Sequence, residues 1–465
     1  MSSGSELSPS PPEAPSPYNQ DVRLLPLLPP FARFALGAFY RLENSGPRPP
    51  ESGPLLLVAN HPNMAADAGG VIVAAARPVR FLGKAPLFSV PVAGPLLRAA
   101  GAIPVYRRQD DPDSVDRNEQ TFTAARDALV DGSAIAIFPE GISHSDPNLA
   151  PMRTGAARIA LLTARTLGGA FPIVPIGLTY RDKTRFHSRA LAASGPPIEW
   201  SDLDPDGEGS VQELTRRIDL GIRKVTVNLD SWDDAPAVEA AEAIWAAERE
   251  LSSDPESRLE RRRDIARMLA ALRHEDPEGI EALRRSVLGF DAVLRELRLT
   301  PRMLDFATRS SVAARWIAGR LLPFALAAIP LLAGAILFLL PYHLTAVLAG
   351  RFKGEEIQAT VKILGGIVVY ALWIVLLAIG AGLLFSSGLL AVLLLLALPP
   401  AALATLAGMQ WWDRTRREAG TFLLLRSRAS LHQRLRGRRK HLAAELDRAR
   451  AVIEESRERK APGYA

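Results

Sequence analysis

Short apolar runs alternate with amphipathic stretches over residues 46–200. Five runs have the length of strands and are followed by or contain polar residues: GPLLLVAN, VRFLGKAPL, AIPVYR, AIAIFPEG and FPIVPIGLTY. Two intervening stretches have helical periodicity and close with glycine: NEQTFTAARDALVDG and MRTGAARIALLTARTLG. This alternation predicts an α/β domain with a mostly parallel sheet flanked by helices. Ligands bind such sheets outside the carboxyl ends of the strands, where the polar residues fall.

Three longer apolar runs follow at residues 321–340, 363–385 and 388–412. Each approaches or exceeds the roughly 20 residues needed to cross a bilayer. We therefore expect a transmembrane region over residues 311–412. Arginines flank both ends of this region, which favours cytoplasmic flanks and an even number of crossings. Three runs leave two alternatives: the proline-rich first run is re-entrant or interfacial, or one end departs from the charge rule.

The remaining segments have distinct compositions. Residues 1–20 are rich in Ser and Pro, which predicts a disordered start. Residues 21–45 are apolar and aromatic with interspersed arginines, which favours an interfacial helix. Residues 231–310 have helical periodicity and dense charge, which indicates a helical subdomain. Residues 413–465 form an Arg-rich, helix-like tail, either a solvated helix or one that binds anionic headgroups.

Charge and composition exclude several classes of function. The net charge is +6, but residues 413–465 alone contain 15 Lys and Arg against 7 Asp and Glu. The excess of basic residues therefore belongs to the tail, which favours membrane phospholipids rather than nucleic acid as partners. The chain contains no cysteine, so disulfides, thiolate nucleophiles and thiolate metal ligands are excluded. We expect no metal site.

The segment NHPNMAAD contains a candidate catalytic pair, His61 and Asp67. Six positions advance a regular helix by about 600°, so the two side chains would not share a helical face. They can meet if the chain bends at Pro62-Asn63. The aspartate would then orient the imidazole, and the free ring nitrogen would accept a proton from a substrate hydroxyl. A structural histidine at a strand end is the alternative.

Other polar residues follow the next strands. Arg107 in GAIPVYRR and Lys84 in FLGKAPLF are cations suited to a phosphate or carboxylate; surface charges are the alternative. In FPEGISH, Glu140 offers a carboxylate to hydroxyl groups, and Gly141 permits a close approach of ligand to backbone. Ser143 is a further hydrogen-bonding group there, and Arg153 opens the next helix within reach of a phosphate.

Four blocks in order resemble the glycerophospholipid acyltransferases, a family of lysophosphatidate and glycerol-3-phosphate acyltransferases. They are NHPNMAAD, GAIPVYR, FPEGISH and IVPIGL. The resemblance covers about residues 24–200 and implies that residues 46–230 form the acyltransferase domain. Some family members of the glycerol-3-phosphate type carry a C-terminal membrane extension, as the apolar runs predict here.

The resemblance also implies roles for individual residues. His61 would be the general base and Asp67 its orienting partner, while Arg107 would bind the acceptor phosphate. Glu140 and Gly141 would position the glycerol moiety, and Pro175 would lie near the acyl-binding region.

Two features depart from the commonest family pattern. Five residues separate His61 from Asp67 instead of four, and the third block reads EGISH where EGTRS is commonest. The arginine of that block is absent, so Arg153, Arg108 or Lys84 is its candidate replacement.

The sequence therefore predicts an integral membrane O-acyltransferase whose catalytic domain faces the cytoplasm. The acyl donor would be acyl-CoA or acyl-carrier protein, and the acceptor glycerol-3-phosphate or 1-acyl-glycerol-3-phosphate, without a further cofactor. The alternatives are an acyltransferase for another lysolipid and a non-catalytic, lipid-binding membrane scaffold.

Overall fold

A computed structural model of the chain describes residues 22–106, 118–305, 319, 327–427 and 429–460. Its centre is a seven-stranded sheet in the order β1-β7-β6-β2-β5-β3-β4. The strands are β1 (Arg41–Ser45), β2 (Leu55–Ala59), β3 (Val79–Lys84), β4 (Ile103–Val105), β5 (Ala134–Ile137), β6 (Ile173–Tyr180) and β7 (Arg189–Ser194). All neighbouring pairs are parallel except β6 and β7. The predicted α/β class is therefore confirmed.

Helices cover the sheet and continue beyond it. Those of the α/β region are α1 (Leu28–Phe39), α2 (Met64–Ala75), α3 (Ala93–Ala99), α4 (Asn118–Val130), α5 (Gly155–Leu167) and α6 (Ser210–Val225). The following bundle contains α7 (Ala235–Glu248), α8 (Pro255–Glu275) and α9 (Pro277–Glu296). The C-terminal helices are α10 (Ala327–Leu337), α11 (Leu339–Gly350), α12 (Glu355–Thr360), α13 (Gly366–Leu384), α14 (Gly388–Ser427) and α15 (Ala429–Lys460).

The central strands are apolar because helices cover both faces of the sheet. Alternate residues of β2 enter different clusters: Leu56 and Val58 pack with α4, α5 and α6, whereas Leu55 and Leu57 pack with α1 and α2. All five residues of β2 are buried. This central position fixes the end of β2, and therefore the following HPN turn, at the middle of the sheet edge.

The segment 21–45, predicted to form an interfacial helix, contains both a helix and a strand. α1 ends at Phe39, and Arg41–Ser45 forms the edge strand β1, parallel to β7. Phe31 and Phe34 of α1 are exposed, whereas Leu36 and Phe39 are buried. One apolar face of α1 is thus open to its surroundings, and the other packs on the domain.

The basic tail packs against the helical bundle. Leu442 and Leu446 of α15 are buried in one cluster with residues of α7, α8 and α9. Arg439 is buried and pairs with Glu248 and Asp305 at 2.8 and 2.7 Å. α15 is therefore held on the bundle by buried apolar contacts and by ion pairs.

Two helical segments are long and apolar enough to cross a membrane, Glu355–Leu384 and Gly388–Met409. They lie against each other and are joined by residues 385–387. α10 and α11 form a third candidate only if they count as one span, because they meet at a bend of 45°. These helices provide the predicted membrane extension. The predicted disordered residues 1–20 and the arginines that flank the first apolar run, Arg309, Arg315 and Arg320, lie outside the described residues.

Candidate active site

His61 and Asp67 lie in direct contact at the carboxyl end of β2. Imidazole Nδ1 is 2.9 Å from Asp67 Oδ2, and the backbone N–H of Asn63 donates to the same oxygen at 2.5 Å. Pro62-Asn63 bends the chain before α2 begins at Met64, so that the first turn of α2 brings Asp67 back to His61. An Nδ1–H that donates to the carboxylate leaves Nε2 with its lone pair and able to accept a proton.

The surroundings hold the imidazole in one orientation. The ring stacks on Phe138 with centroids 4.0 Å apart and planes inclined by 9°. Asp67 is fully buried, whereas the His61 side chain keeps 20% of its surface exposed. Burial raises the pKa of Asp67, and the hydrogen bonds from His61 and Asn63 oppose that rise. The pair is thus anchored on the aspartate side and accessible on the histidine side.

Glu140 is buried beneath the pair and uses both carboxylate oxygens within the protein. Oε1 accepts the backbone N–H of His61 at 2.9 Å, and Oε2 accepts that of Ala150 at 2.7 Å. His144 Nε2 also bonds to Oε2. The N–H of Asp146 donates to His144 Nδ1, so we assign the ring proton of His144 to Nε2. This arrangement favours a role for Glu140 in holding the HPN turn and the loop after β5.

Three further predicted residues cluster around that loop. Ser143 Oγ accepts the N–H of Met64 at 3.2 Å, which satisfies an otherwise unpaired donor at the start of α2. Gly141 has φ +72°, and a Cβ there would lie 2.7 Å from Nε of Arg153. Arg153 therefore packs directly against the FPEG turn, where its cation lies near the site.

The other predicted residues are placed as follows. Lys84 is exposed at the end of β3 and pairs in register with Val105 of β4, which leads towards Arg107. Arg107 itself lies outside the described residues. Pro175 is in register with Val58, and its ring packs near Gly195 and Gly221 on the side of α6.

Several residues at the site are not among those that the sequence predicts. Asn63 Nδ2 donates to Tyr40 Oη at 2.9 Å, and Tyr40 donates to the carbonyl of Lys183 at 2.5 Å. Burial and the charge of Asp67 raise the pKa of Tyr180 well above its usual value. Phe138 directly precedes the PEG of the third block, which is the one signal that could have identified it. Tyr40 and Lys183 lie more than a hundred positions apart, so spacing gives no indication of their contact.

A second polar group joins the site to the membrane region. Lys183 Nζ donates to Ser145 Oγ at 2.7 Å and lies 3.9 Å from Glu356 Oε1. The Ser145 hydroxyl donates to the carboxylate of Glu356, and Trp232 Nε1 donates to the Ser145 carbonyl. Burial lowers the pKa of Lys183. Residues from four separate segments thus meet at the loop after FPEG.

The arrangement suits removal of a proton from a hydroxyl group. An imidazole, oriented by a buried carboxylate, is accessible at a strand end, and Arg153 lies against the neighbouring FPEG turn. Among the described residues, no group of three or more His, Asp or Glu is placed to hold a metal ion.

Residues 40–179 match the family described as Acyltransferase. The match includes all four blocks and confirms the resemblance predicted from them. The match ends within β6 and includes His61, Asp67 and the FPEG turn.

Curated relatives extend the comparison. Glycerol-3-phosphate O-acyltransferase 2 of Saccharomyces cerevisiae is 26% identical over 272 residues, which cover 56% of this chain and 36% of the yeast protein. A chloroplastic 1-acyl-sn-glycerol-3-phosphate acyltransferase of Brassica napus is 26% identical over 150 residues, 32% of this chain and 40% of the plant protein. The chain thus spans little more than a third of the length of these relatives. A solved structure of a 1-acyl-sn-glycerophosphate acyltransferase from Thermotoga maritima has 21% identity and a TM-score of 0.34, covering 43% of this chain and 78% of that one.

Proposed function

We propose that this protein is a membrane-bound O-acyltransferase of glycerophospholipid synthesis. It moves a fatty acyl group from acyl-CoA or acyl-carrier protein to a hydroxyl of glycerol-3-phosphate or 1-acyl-glycerol-3-phosphate. The family of residues 40–179 and the activities named for the yeast and plant relatives support this class of reaction. No further cofactor is required for such a transfer.

The contact of 2.9 Å between His61 and Asp67 carries the proposal. Nε2 of His61 removes the proton of the acceptor hydroxyl, whose oxygen attacks the thioester carbonyl. The C–S bond then breaks, and the imidazolium returns the proton to the leaving thiolate. Asp67 holds the Nδ1–H during both transfers and stabilises the positive ring between them. No covalent acyl-enzyme is formed.

Basic residues around the site suit a phosphate-bearing acceptor. Arg153 packs against Gly141 at the FPEG turn, and Lys84 lies at the carboxyl end of a neighbouring strand. Arg107 follows β4, next to β3 in the sheet. Because arginine binds phosphate through paired N–H donors, Arg107 and Arg153 are the proposed ligands of the acceptor phosphate.

The membrane helices favour a site at the bilayer surface. Acylated products partition into lipid, whereas acyl thioesters of CoA and carrier protein are dissolved in the cytosol. A catalytic domain facing the cytoplasm would meet both substrates. Glu356 lies at the start of the first candidate span and bonds to Ser145 of the active-site loop, which supports a site close to the membrane.

The test uses the full chain, purified in detergent, with acyl-CoA and acyl-carrier protein as donors. Glycerol-3-phosphate, 1-acyl-glycerol-3-phosphate and a lysophosphatidylcholine are offered in parallel, and thiol release and acylated product are both measured. Turnover with a glycerophosphate acceptor is expected. Turnover with lysophosphatidylcholine alone would show that the acceptor is another lysolipid. Absence of turnover with every combination of donor and acceptor would indicate a non-catalytic lipid-binding protein.

A further inference from the structure

A large cavity lies between the α/β domain and the membrane helices. Its volume is about 870 Å³, within the range of sites that bind small molecules. Its walls come from α1, the segment 182–186, the helical turn Val361–Gly365 between α12 and α13, and helices α11, α13 and α14. None of these elements contains one of the four sequence blocks. α1 ends at Phe39, directly before the first residue of the family match.

The walls of this cavity are predominantly apolar. Phe39 of α1, Ile367, Tyr370 and Ile374 of α13, and Leu403 of α14 all line it. Small residues leave room along the helices; Ala346, Gly366, Ala371 and Ala402 also line the space. Because the α13 and α14 walls belong to candidate membrane spans, the cavity suits an aliphatic chain taken from the bilayer.

The mouth is polar and carries two cations, Lys362 and Arg185. Lys362 Nζ donates to the carbonyl of Thr184 at 2.8 Å, which holds the ammonium group at the rim. The Asp182 carboxylate also lies there, but it accepts the backbone N–H groups of Thr184 and Arg185 at 3.1 and 3.0 Å. The acid is therefore engaged with its own turn, and the cations favour an anionic group at the mouth.

We propose that this cavity binds an anionic glycerophospholipid of the bilayer, with an acyl chain between α1 and α13 and the phosphate at Lys362 and Arg185. The apolar walls match the chain, and the two cations match the phosphate. This site is separate from the His61–Asp67 pair, so lipid binding does not depend on the proposed acyl transfer.

The test measures lipid retained by the full chain in detergent micelles. Phosphatidylglycerol and phosphatidylcholine with identical acyl chains are titrated, and bound lipid is counted by native mass spectrometry. Phosphatidylglycerol is expected to bind roughly tenfold more tightly, because phosphatidylcholine carries the same phosphate together with a choline cation that Lys362 and Arg185 repel. Lys362→Ala combined with Arg185→Ala should reduce its affinity to that of phosphatidylcholine.

A matched pair of variants on α13 tests the cavity itself. Ala371→Trp fills the space and should abolish retention, whereas Leu372→Trp lies on an exposed face of the same helix and should leave it unchanged. Thermal unfolding identifies a Trp variant that fails to fold. If one of them fails, the Lys362/Arg185 double variant tests the proposal instead. Equal retention of both lipids, no effect of the double variant, or equal behaviour of the two folded Trp variants would overturn the proposal.

Discussion

The hydroxyl of Ser145 donates a hydrogen bond to the carboxylate of Glu356, 211 positions further along the chain. Ser145 follows the FPEGISH block, and Glu356 lies in the first turn of the helical segment that becomes the first candidate span. Lys183 bonds to Ser145 from a third segment. The catalytic loop and the membrane region are therefore joined by direct polar contacts, and the two parts should depend on each other for stability.

Glu356→Ala should destabilise the protein by about 1–3 kcal/mol, because the variant leaves Ser145 without its acceptor and the buried Lys183 without its nearby anion. Thermal unfolding in detergent, followed by the rate of acyl transfer, measures both consequences. Glu355→Ala is the matched control, since Glu355 is exposed on the same turn. Identical melting temperatures for the two variants would show that the contact does not couple the regions.

Asp67→Asn should separate stability from activity. Burial raises the pKa of Asp67, so the folded protein holds this proton more tightly than the unfolded chain does. Protonated Asp67 therefore stabilises the folded protein at low pH. This contribution to the free energy of unfolding is lost as the pH rises from about 4 through the folded-state pKa of Asp67. The variant should therefore lose less stability than wild type over that rise, yet transfer acyl groups roughly 10²–10⁴-fold more slowly. Unchanged pH dependence of unfolding, or wild-type turnover, would contradict this account.

Glu140→Ala tests whether this carboxylate positions His61 or binds the glycerol moiety. Loss of its acceptor oxygens leaves the N–H groups of His61 and Ala150 unpaired, at a cost of about 1–3 kcal/mol each. We expect lower stability and lower kcat with little change in acceptor KM. Glu140→Gln keeps one acceptor oxygen, so its stability and its kcat should lie between those of wild type and those of Glu140→Ala. A rise in acceptor KM with unaltered stability would instead indicate direct contact with the substrate.

Arg153→Ala should raise the acceptor KM by roughly tenfold while changing the donor KM less, because the guanidinium is proposed to bind the acceptor phosphate. Arg158→Ala is the control, since Arg158 is exposed in the first turn of α5, after the segment that contains Arg153. The sequence predicts the same result for Arg107→Ala. Equal changes in both KM values would count against phosphate binding by either residue.

The fold and the central pair could be predicted because their signals are local. Five of the seven strands, β2 to β6, lie in the apolar runs, and the Pro62-Asn63 turn lies between His61 and Asp67 in a single segment. The edge strand β1 was not predicted, because its sequence RLENS is polar and follows an apolar helix directly. Its partner β7 gives it a place in the sheet, and that pairing joins positions about 150 residues apart.

Long-range contacts account for the rest of what the sequence did not reveal. Glu140 is predicted to position the glycerol moiety, and its oxygens also bond to His61, Ala150 and His144 within the protein. The contact of Lys183 and Ser145 with Glu356 depends on how the membrane helices dock on the domain. Hydrophobic periodicity reports which face of an element is buried and carries no information on which polar side chains meet.

The central claim is that His61 is the base that accepts the acceptor's proton. The most direct measurement compares the acyl-transfer rates of purified His61→Ala and wild-type protein at saturating donor and acceptor, with thermal unfolding to establish that the variant is folded. The account predicts a fall in kcat of roughly 10²–10⁴-fold. A folded His61→Ala protein that transfers acyl groups at the wild-type rate would contradict it.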